Sequence, residues 1–145
     1  MDWKKEAVDK LRRYSAMRQA AESIPAEIKL LQADCTALRS PSFAARVKGS
    51  GSGREDALLN NMVKRQELAW NLKQVRQWLA LTDRGLLALT PEERLVLQRM
   101  YLLPDKGAVE TLCEELGVEQ STVYRRRDQA IRHFTLALYG IPDVQ

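Results

Sequence analysis

The sequence predicts an all-α protein in which a long coiled-coil hairpin is followed by a small helix-turn-helix domain. Three observations carry this prediction. Apolar residues recur at alternating steps of three and four along residues 3 to 38 and again along residues 55 to 88, which is the spacing of one helix face. A stretch rich in Gly and Ser, 39–54, separates these two segments. Residues 108 to 139 then show the pattern of two helices joined by a tight turn at Gly117.

The first predicted helix covers residues 3 to 38 and contains one proline. Its apolar seam consists of Trp3, Ala7, Tyr14, Met17, Ala21, Ile24, Ile28, Leu31, Cys35 and Leu38, with Lys10 as the off-type member. A proline inside a helix removes a hydrogen bond and crowds the preceding turn, but the seam continues on both sides of Pro25. We therefore expect either one helix bent at Pro25 or two nearly collinear helices, in preference to a hairpin at Pro25.

The stretch 39–54, RSPSFAARVKGSGSGR, breaks the periodic pattern and predicts a flexible linker. The second predicted helix follows it and covers residues 55 to 88. Its seam is expected to contain Leu58, Met62, Ala69, Leu72, Leu79 and Leu86, with Arg65, Arg76 and Asp83 as interruptions. Five further residues are expected to widen the seam into a broad apolar face, namely Leu59, Val63, Trp70, Val75 and Trp78. Because the two helices have similar lengths, we expect residues 1–88 to form an antiparallel hairpin. The alternative is that Trp70 and Trp78 cover a dimer interface, since aromatic residues favour interface cores.

Residues 89–140 are predicted to form a separate domain that begins with a well-defined helix start. Thr90 has the type of an N-cap residue, Pro91 suits the first helical position, and Glu93 lies at the spacing that closes a capping box. The helix that begins here is expected to end at residues 104–107, where the sequence is Pro-Asp-Lys-Gly.

Two further helices complete the predicted domain. The first covers residues 108 to 116, and Gly117 then supplies the positive φ that a sharp turn after a helix requires. The last helix, 119–138, opens at Glu119 or Ser121. Its buried residues are expected to be Val123, Ala130, Ile131, Phe134 and Leu138. We expect one cluster to be formed by Leu112, Leu116, Val123 and Ile131.

The composition excludes several classes of protein. No apolar stretch approaches the length of about 18 residues that a membrane span requires, and the N-terminus has no apolar core typical of a signal peptide. We therefore expect a cytoplasmic protein with no membrane partner. Cys35 and Cys113 lie in separate apolar stripes, and the chain has only one histidine, so free thiols and no metal site are predicted. The sequence also lacks a catalytic constellation, which predicts no enzyme, no cofactor and no small-molecule substrate.

The last helix carries residue types that suit the major groove of double-stranded DNA. Residues 1–89 contain 16 Lys and Arg against 10 Asp and Glu, whereas residues 90–145 contain 7 against 9. DNA binding by the C-terminal domain would therefore depend on a local basic face. Arg can bind guanine through two hydrogen bonds, Gln can pair with adenine, and hydroxyl groups can hold phosphates. The predicted DNA-binding residues are Gln120, Ser121, Thr122, Tyr124, Arg125, Arg126, Arg127 and Arg132.

Residues 90–138 resemble the fourth conserved region of bacterial sigma factors, with Leu116-Gly117-Val118 matching its turn. Val123 and the segment 130–134 match the core and basic tail of its recognition helix. The whole chain is similar to the RinA/ArpU-like late-gene transcription regulators of phages and prophages, through its first eight residues, its Gly-Ser linker with the following Arg54-Glu55-Asp56, and residues 63–68. The resemblance implies base reading by Gln120, Ser121, Thr122, Tyr124 and Arg125. Arg126 departs from the sigma pattern, which has an apolar residue at that position.

Sequence-specific regulation of transcription is the function that these observations favour, and two alternatives stay open. A small terminase subunit for phage DNA packaging also joins a helix-turn-helix to helical oligomerisation elements. An adaptor could instead dock on RNA polymerase without reading DNA. A homodimer is a further open partner. The basic residues of the linker, Arg39, Arg46, Lys48 and Arg54, belong either to a solvated loop or to an arm that contacts DNA.

Overall fold

The structure is a computed structural model that describes residues 1–40 and 51–140. All secondary structure in these ranges is helical, which confirms the predicted all-α class. The five α-helices are α1 (Trp3–Arg39), α2 (Gly51–Leu87), α3 (Pro91–Leu97), α4 (Ala108–Leu116) and α5 (Gln120–Tyr139), and a π-helical turn, Gln98–Leu102, follows α3. Among the described helices, none has the length and apolar character required to cross a bilayer.

Helix α1 runs through Pro25 as a single helix, as the first of the sequence-based alternatives expects; the bend at Pro25 stays a prediction. Asp2 caps its start, because the carboxylate Oδ1 accepts a hydrogen bond from the Lys5 N–H at 3.1 Å. Every residue of the predicted seam, from Trp3 to Leu38 and including Lys10, is buried or half-buried. The steps of three and four therefore identified the inward face of α1 correctly.

The predicted linker 39–54 is helical at both of its described ends. Helix α1 extends to Arg39, and α2 begins at Gly51. Arg54 is partly buried and its Nε donates to the Leu38 carbonyl at 2.8 Å. Gly and Ser are tolerated there because the first N–H groups of a helix need no partner within the helix. The roles considered for Arg46 and Lys48 fall outside the described residues.

The chain divides into two compact units, one of which combines the start of α1 with the C-terminal helices. One unit consists of Met1–Arg18 with Trp78–Gln145, and the other consists of Gln19–Gln77. The reason is that the start of α1 belongs to the core of the first unit. Ala7 and Leu11 are fully buried there.

A chain of polar contacts connects α1 and α2 within the unit Gln19–Gln77. Asn61 is buried, and its Nδ2 donates to the Leu31 carbonyl at 2.7 Å. The Asn61 side-chain oxygen accepts from Arg65 Nε at 2.8 Å, and Arg65 Nη2 lies 3.8 Å from Cys35 Sγ. Together with the Arg54–Leu38 contact, these bonds join α2 to the C-terminal half of α1 in this unit. They also fix the register, because a shift would leave the buried Asn61 amide without its acceptor.

The inward seam of α2 is only partly the predicted one. Leu58, Leu72, Leu79 and Leu86 are buried or half-buried as expected, but Met62 and Ala69 are exposed. At every second step the buried or half-buried residue lies one position earlier than predicted, and these residues are Asn61, Leu68, Val75 and Thr82. Of the residues expected to widen the seam, Val75 and Trp78 are buried or half-buried, whereas Leu59, Val63 and Trp70 are exposed, so that part of the prediction was wrong. The apolar pattern could not identify Asn61 and Thr82, because both are polar. Both are buried with a hydrogen bond to backbone, Thr82 Oγ1 donating to the Trp78 carbonyl at 2.9 Å.

Two apolar clusters form the core of the unit that contains the C-terminal helices. The first joins four parts of the chain and contains Ala7, Leu11, Leu86, Leu89, Leu97, Ala130, Ile131 and Phe134. The second contains Val96, Leu112 and Val123, with Leu116 and Val118 packed against it. The expected grouping of Ile131 with Leu112 was therefore wrong. Successive turns of α5 pack against different neighbours, so Val123 and Ile131 enter different clusters.

The predicted start of α3 is confirmed in detail. Thr90 Oγ1 accepts from the Glu93 N–H at 3.2 Å, and Glu93 Oε1 accepts from the Thr90 N–H at 3.1 Å. These two bonds form a capping box, with Pro91 at the first helical position. The end of this helix differs from the prediction, because the regular α-helix stops at Leu97 and the π-helical turn carries the chain to Leu102.

Candidate nucleic-acid interface

The turn between α4 and α5 positions the candidate recognition helix. Gly117 has φ of 64°, the left-handed conformation that a helix C-terminus of this type requires. The Val118 N–H donates to the Cys113 carbonyl at 3.2 Å, and the Val118 side chain packs against the second apolar cluster. Glu119 is the N-cap residue of α5, which begins at Gln120. The sequence therefore predicted both the position and the conformation of this turn.

Helix α5 has an inner face that packs and an outer face that remains accessible. Its buried residues are Val123, Ala130, Ile131, Phe134 and Thr135, and it packs against both α3 and α4. An open groove of about 570 Å³ follows the outer face. It is lined by Ser121, Tyr124, Arg125, Asp128, Gln129, Arg132 and His133.

Five of the eight predicted DNA-binding residues are exposed, namely Gln120, Ser121, Tyr124, Arg125 and Arg132. Four of these five line the groove, and Gln120 lies at the first position of α5. Thr122 is half-buried, and its hydroxyl accepts a hydrogen bond from Arg125 Nη2 at 3.3 Å. This contact holds the Arg125 side chain along the start of the helix.

Arg126 is directed away from the groove that contains Arg125. Its guanidinium forms an ion pair with Glu92 in the first turn of α3. The same first turn of α3 makes a second contact with α5, in which Glu93 Oε2 lies 2.5 Å from His133 Nδ1. A smaller groove of about 260 Å³ lies between the two helices at this point. The two carboxylates of α3 therefore attach it to α5, and Arg126 is engaged in that attachment.

Arg127 is engaged with its own neighbours on α5. Its Nε and Nη2 lie 3.0 and 2.9 Å from Asp128 Oδ1, and its guanidinium lies 5.0 Å from the centre of the Tyr124 ring. A cation over an aromatic ring restricts the orientation of both side chains. Arg127 thus holds Tyr124 at the edge of the groove. The three consecutive arginines therefore occupy three different environments.

Gln129 and Asp128 line the groove, although the sequence analysis did not select them. Helical spacing could have identified Gln129, because residues four apart lie on the same face of a helix. Ser121, Arg125 and Gln129 follow this spacing. The predicted DNA-binding residues include Arg127 and Arg132 but none of the positions between them.

The ionisation of Glu93 is coupled to the attachment between α3 and α5. Burial by itself raises the pKa of this carboxyl group, but the Thr90 backbone N–H, the His133 side chain and the Thr90 hydroxyl act in the opposite direction. Their combined effect lowers the pKa of Glu93 below its ordinary value of 4.5. Because the folded state favours the carboxylate, Glu93 contributes stability above about pH 4.5 that is lost as the pH falls through its folded pKa.

We expect Glu93→Gln to reduce stability at pH 7 and to have a smaller effect at pH 3. Gln can retain the bond to the Thr90 N–H, so the substitution mainly removes the charge. The measurement is urea denaturation of both proteins at the two pH values, with the exposed Glu114→Gln as the control. A stability difference that stays constant between pH 7 and pH 3 would contradict the role of the Glu93 charge.

The described residues contain no group of three His, Cys, Asp or Glu side chains that could hold a metal ion. Both cysteines have free thiols; Cys35 is buried and Cys113 is half-buried. Comparison of the chain with models of protein families, with curated proteins and with solved structures finds no match.

Proposed function

We propose that this chain is a sequence-specific DNA-binding regulator of transcription, of the RinA/ArpU-like phage or prophage type, that reads double-stranded DNA with α5. The observation that carries the proposal is the outer face of this helix. Ser121, Arg125 and Gln129 lie at helical spacing along one groove, with Tyr124 and Arg132 beside them. The inner face of the same helix is packed against α3 and α4.

The chemistry of this face fits the major groove. An α-helix fits the width of the major groove, and the most common specific contact is an arginine with the O6 and N7 atoms of guanine. In this proposal Arg125 makes that contact, and Gln129 pairs with the N6 and N7 atoms of an adenine. Ser121, Tyr124 and Arg132 bind phosphates and fix the register of the helix.

We also propose a specific arrangement of the five helices. We assign α4, the turn at Gly117 and α5 to a helix-turn-helix that resembles region four of sigma factors, with α3 as its supporting helix. The left-handed turn and the packing of α4 on α5 support this assignment. We assign α1 and α2 to a long hairpin. The antiparallel contacts of Leu31 and Leu38 with Asn61 and Arg54 support it.

The three consecutive arginines have different roles in this proposal. Arg125 reads a base, Arg126 holds α5 on α3 through Glu92, and Arg127 orients Tyr124. This division makes Arg125 and Arg126 a matched pair for experiment. The two residues are adjacent on the same helix and carry the same charge, but only Arg125 lines the groove of the outer face.

Arg125→Lys is expected to reduce the preference for the specific site over random DNA by about 5- to 150-fold, which corresponds to about 1–3 kcal/mol. Lys keeps the charge but cannot form the paired hydrogen bonds of Arg. Affinity for random DNA should therefore change little. The specific site is first selected from a pool of random duplexes, and both affinities are then measured by fluorescence anisotropy at a fixed salt concentration.

Arg126→Lys is the control, because a lysine retains the charge opposite Glu92. It should keep most of the site preference. If Arg125→Lys and Arg126→Lys reduce the preference equally, or if neither changes it, the assignment of base reading to Arg125 is wrong. Failure to select any duplex would favour an adaptor that docks on RNA polymerase. Ring-sized assemblies in solution would favour a small terminase subunit.

A further inference from the structure

Helix α2 has a second heptad seam, and this seam is exposed. It consists of Asp56, Leu59, Val63, Gln66, Trp70 and Lys73, which follow one another at steps of three and four. All six residues are exposed in the unit Gln19–Gln77. Trp70 is 63% exposed, Leu59 53% and Val63 41%, and Met62 beside them is 42% exposed. We call these six residues the outer seam of α2.

The outer seam lies on the side of α2 that faces away from the contacts with α1. Those contacts use Leu58, Asn61, Arg65 and Leu68, each of which is one or two positions from a member of the outer seam. One or two positions correspond to about 100° or 200° around a helix with 3.6 residues per turn. Because Leu59, Val63 and Trp70 lie on this side, α2 has apolar residues on two opposite sides, an arrangement suited to packing between two neighbours.

The charges of the outer seam are arranged for a second copy in antiparallel orientation. Its first residue, Asp56, is acidic and its last residue, Lys73, is basic. A two-fold axis between positions 64 and 65 brings Asp56 of one copy opposite Lys73 of the other. The same axis brings Leu59 opposite Trp70. A parallel arrangement would place like charges opposite each other at both ends of the seam.

We propose that two copies of this chain associate through the outer seam of α2, antiparallel and about a two-fold axis. Each Trp70 then covers Leu59 of the other copy, and two Asp56–Lys73 ion pairs close the ends of the contact. Such an interface is isologous, because both copies use the same surface patch. Each patch is occupied in the dimer, so no third copy can bind through it. Trp is among the residues that most often dominate the energy of an interface. The proposal does not depend on the assignment of DNA binding to α5.

The first part of the test is the solution mass of the full chain, measured by sedimentation equilibrium at micromolar concentrations. The wild-type protein is expected to have twice the chain mass. Trp70→Glu is expected to weaken the association at least about tenfold, because it places a charge in an apolar contact. Leu30→Glu is the matched control, since Leu30 is 61% exposed on α1 and lies outside the outer seam. It should leave the dimer intact.

The second part tests the orientation through the two charged residues. Asp56→Lys and Lys73→Glu should each weaken the dimer, because each substitution creates two repulsive pairs. The double variant Asp56→Lys/Lys73→Glu restores opposite charges in the antiparallel arrangement and should recover the dimer. Circular dichroism on each variant checks that helix content is unchanged. A monomeric wild-type protein, a larger assembly, or a double variant weaker than both single variants would overturn the proposal.

Discussion

Leu11→Ala is expected to lower the free energy of unfolding by about 2–5 kcal/mol, the usual cost of replacing a buried leucine by alanine. Leu11 is fully buried in the cluster that also contains Leu86, Leu97 and Phe134. The substitution removes apolar contacts and leaves a cavity where four parts of the chain meet. The measurement is urea denaturation followed by circular dichroism, with the midpoint and the slope compared between variants.

Leu30→Ala provides a closely matched control for Leu11→Ala. It makes the same chemical change in the same helix, but Leu30 is 61% exposed. Surface substitutions usually change stability by less than about 0.5 kcal/mol. Equal effects of the two substitutions would show that the start of α1 does not belong to the core that contains Phe134.

Phe134→Ala is expected to lower the free energy of unfolding by about 3–5 kcal/mol. Phe134 is the largest fully buried side chain on the inner face of α5. Helix α2 approaches it closely, because a Cβ added at Gly85 would lie 3.0 Å from Phe134 Cε1 and 2.8 Å from Leu138 Cδ2. Since α5 is also the proposed reading helix, DNA binding should be lost together with the fold at 37 °C.

The control for Phe134→Ala is Leu136→Ala, two positions along the same helix, where the side chain is 41% exposed. This variant should unfold near the wild-type midpoint and retain its affinity for the selected duplex. Thermal denaturation and fluorescence anisotropy on the same samples separate the loss of fold from the loss of binding. A Phe134→Ala protein as stable as Leu136→Ala would contradict the packing of α5 on α2.

The helices and turns were predictable from sequence because local interactions determine them. The capping box at Thr90 and Glu93, the bounds of α4 and the turn at Gly117 all depend on residues within one or two turns of each other. The inward face of α1 was predictable as well, because an apolar seam with Lys10 as its one off-type member marks it.

The remaining features depend on partners that are distant in sequence. The inward face of α2 includes Asn61 and Thr82, whose polar side chains are stabilised in buried positions by hydrogen bonds to the backbone. Likewise, nothing near Arg126 in the sequence indicates that its partner is Glu92 on α3. The local pattern put all three arginines in the predicted DNA-binding set, whereas packing gives each arginine a different environment.

The burial of Ala7 and Leu11 beside Phe134 has a consequence for how the protein is made. Phe134 lies 127 positions after Ala7, so a ribosome synthesises it much later. The first turns of α1 must therefore wait, with their apolar side chains exposed, until α5 has emerged. Exposed apolar surface on a nascent chain promotes aggregation and recruits chaperones. A fragment that begins after Leu11 would lack two of the side chains that complete this core.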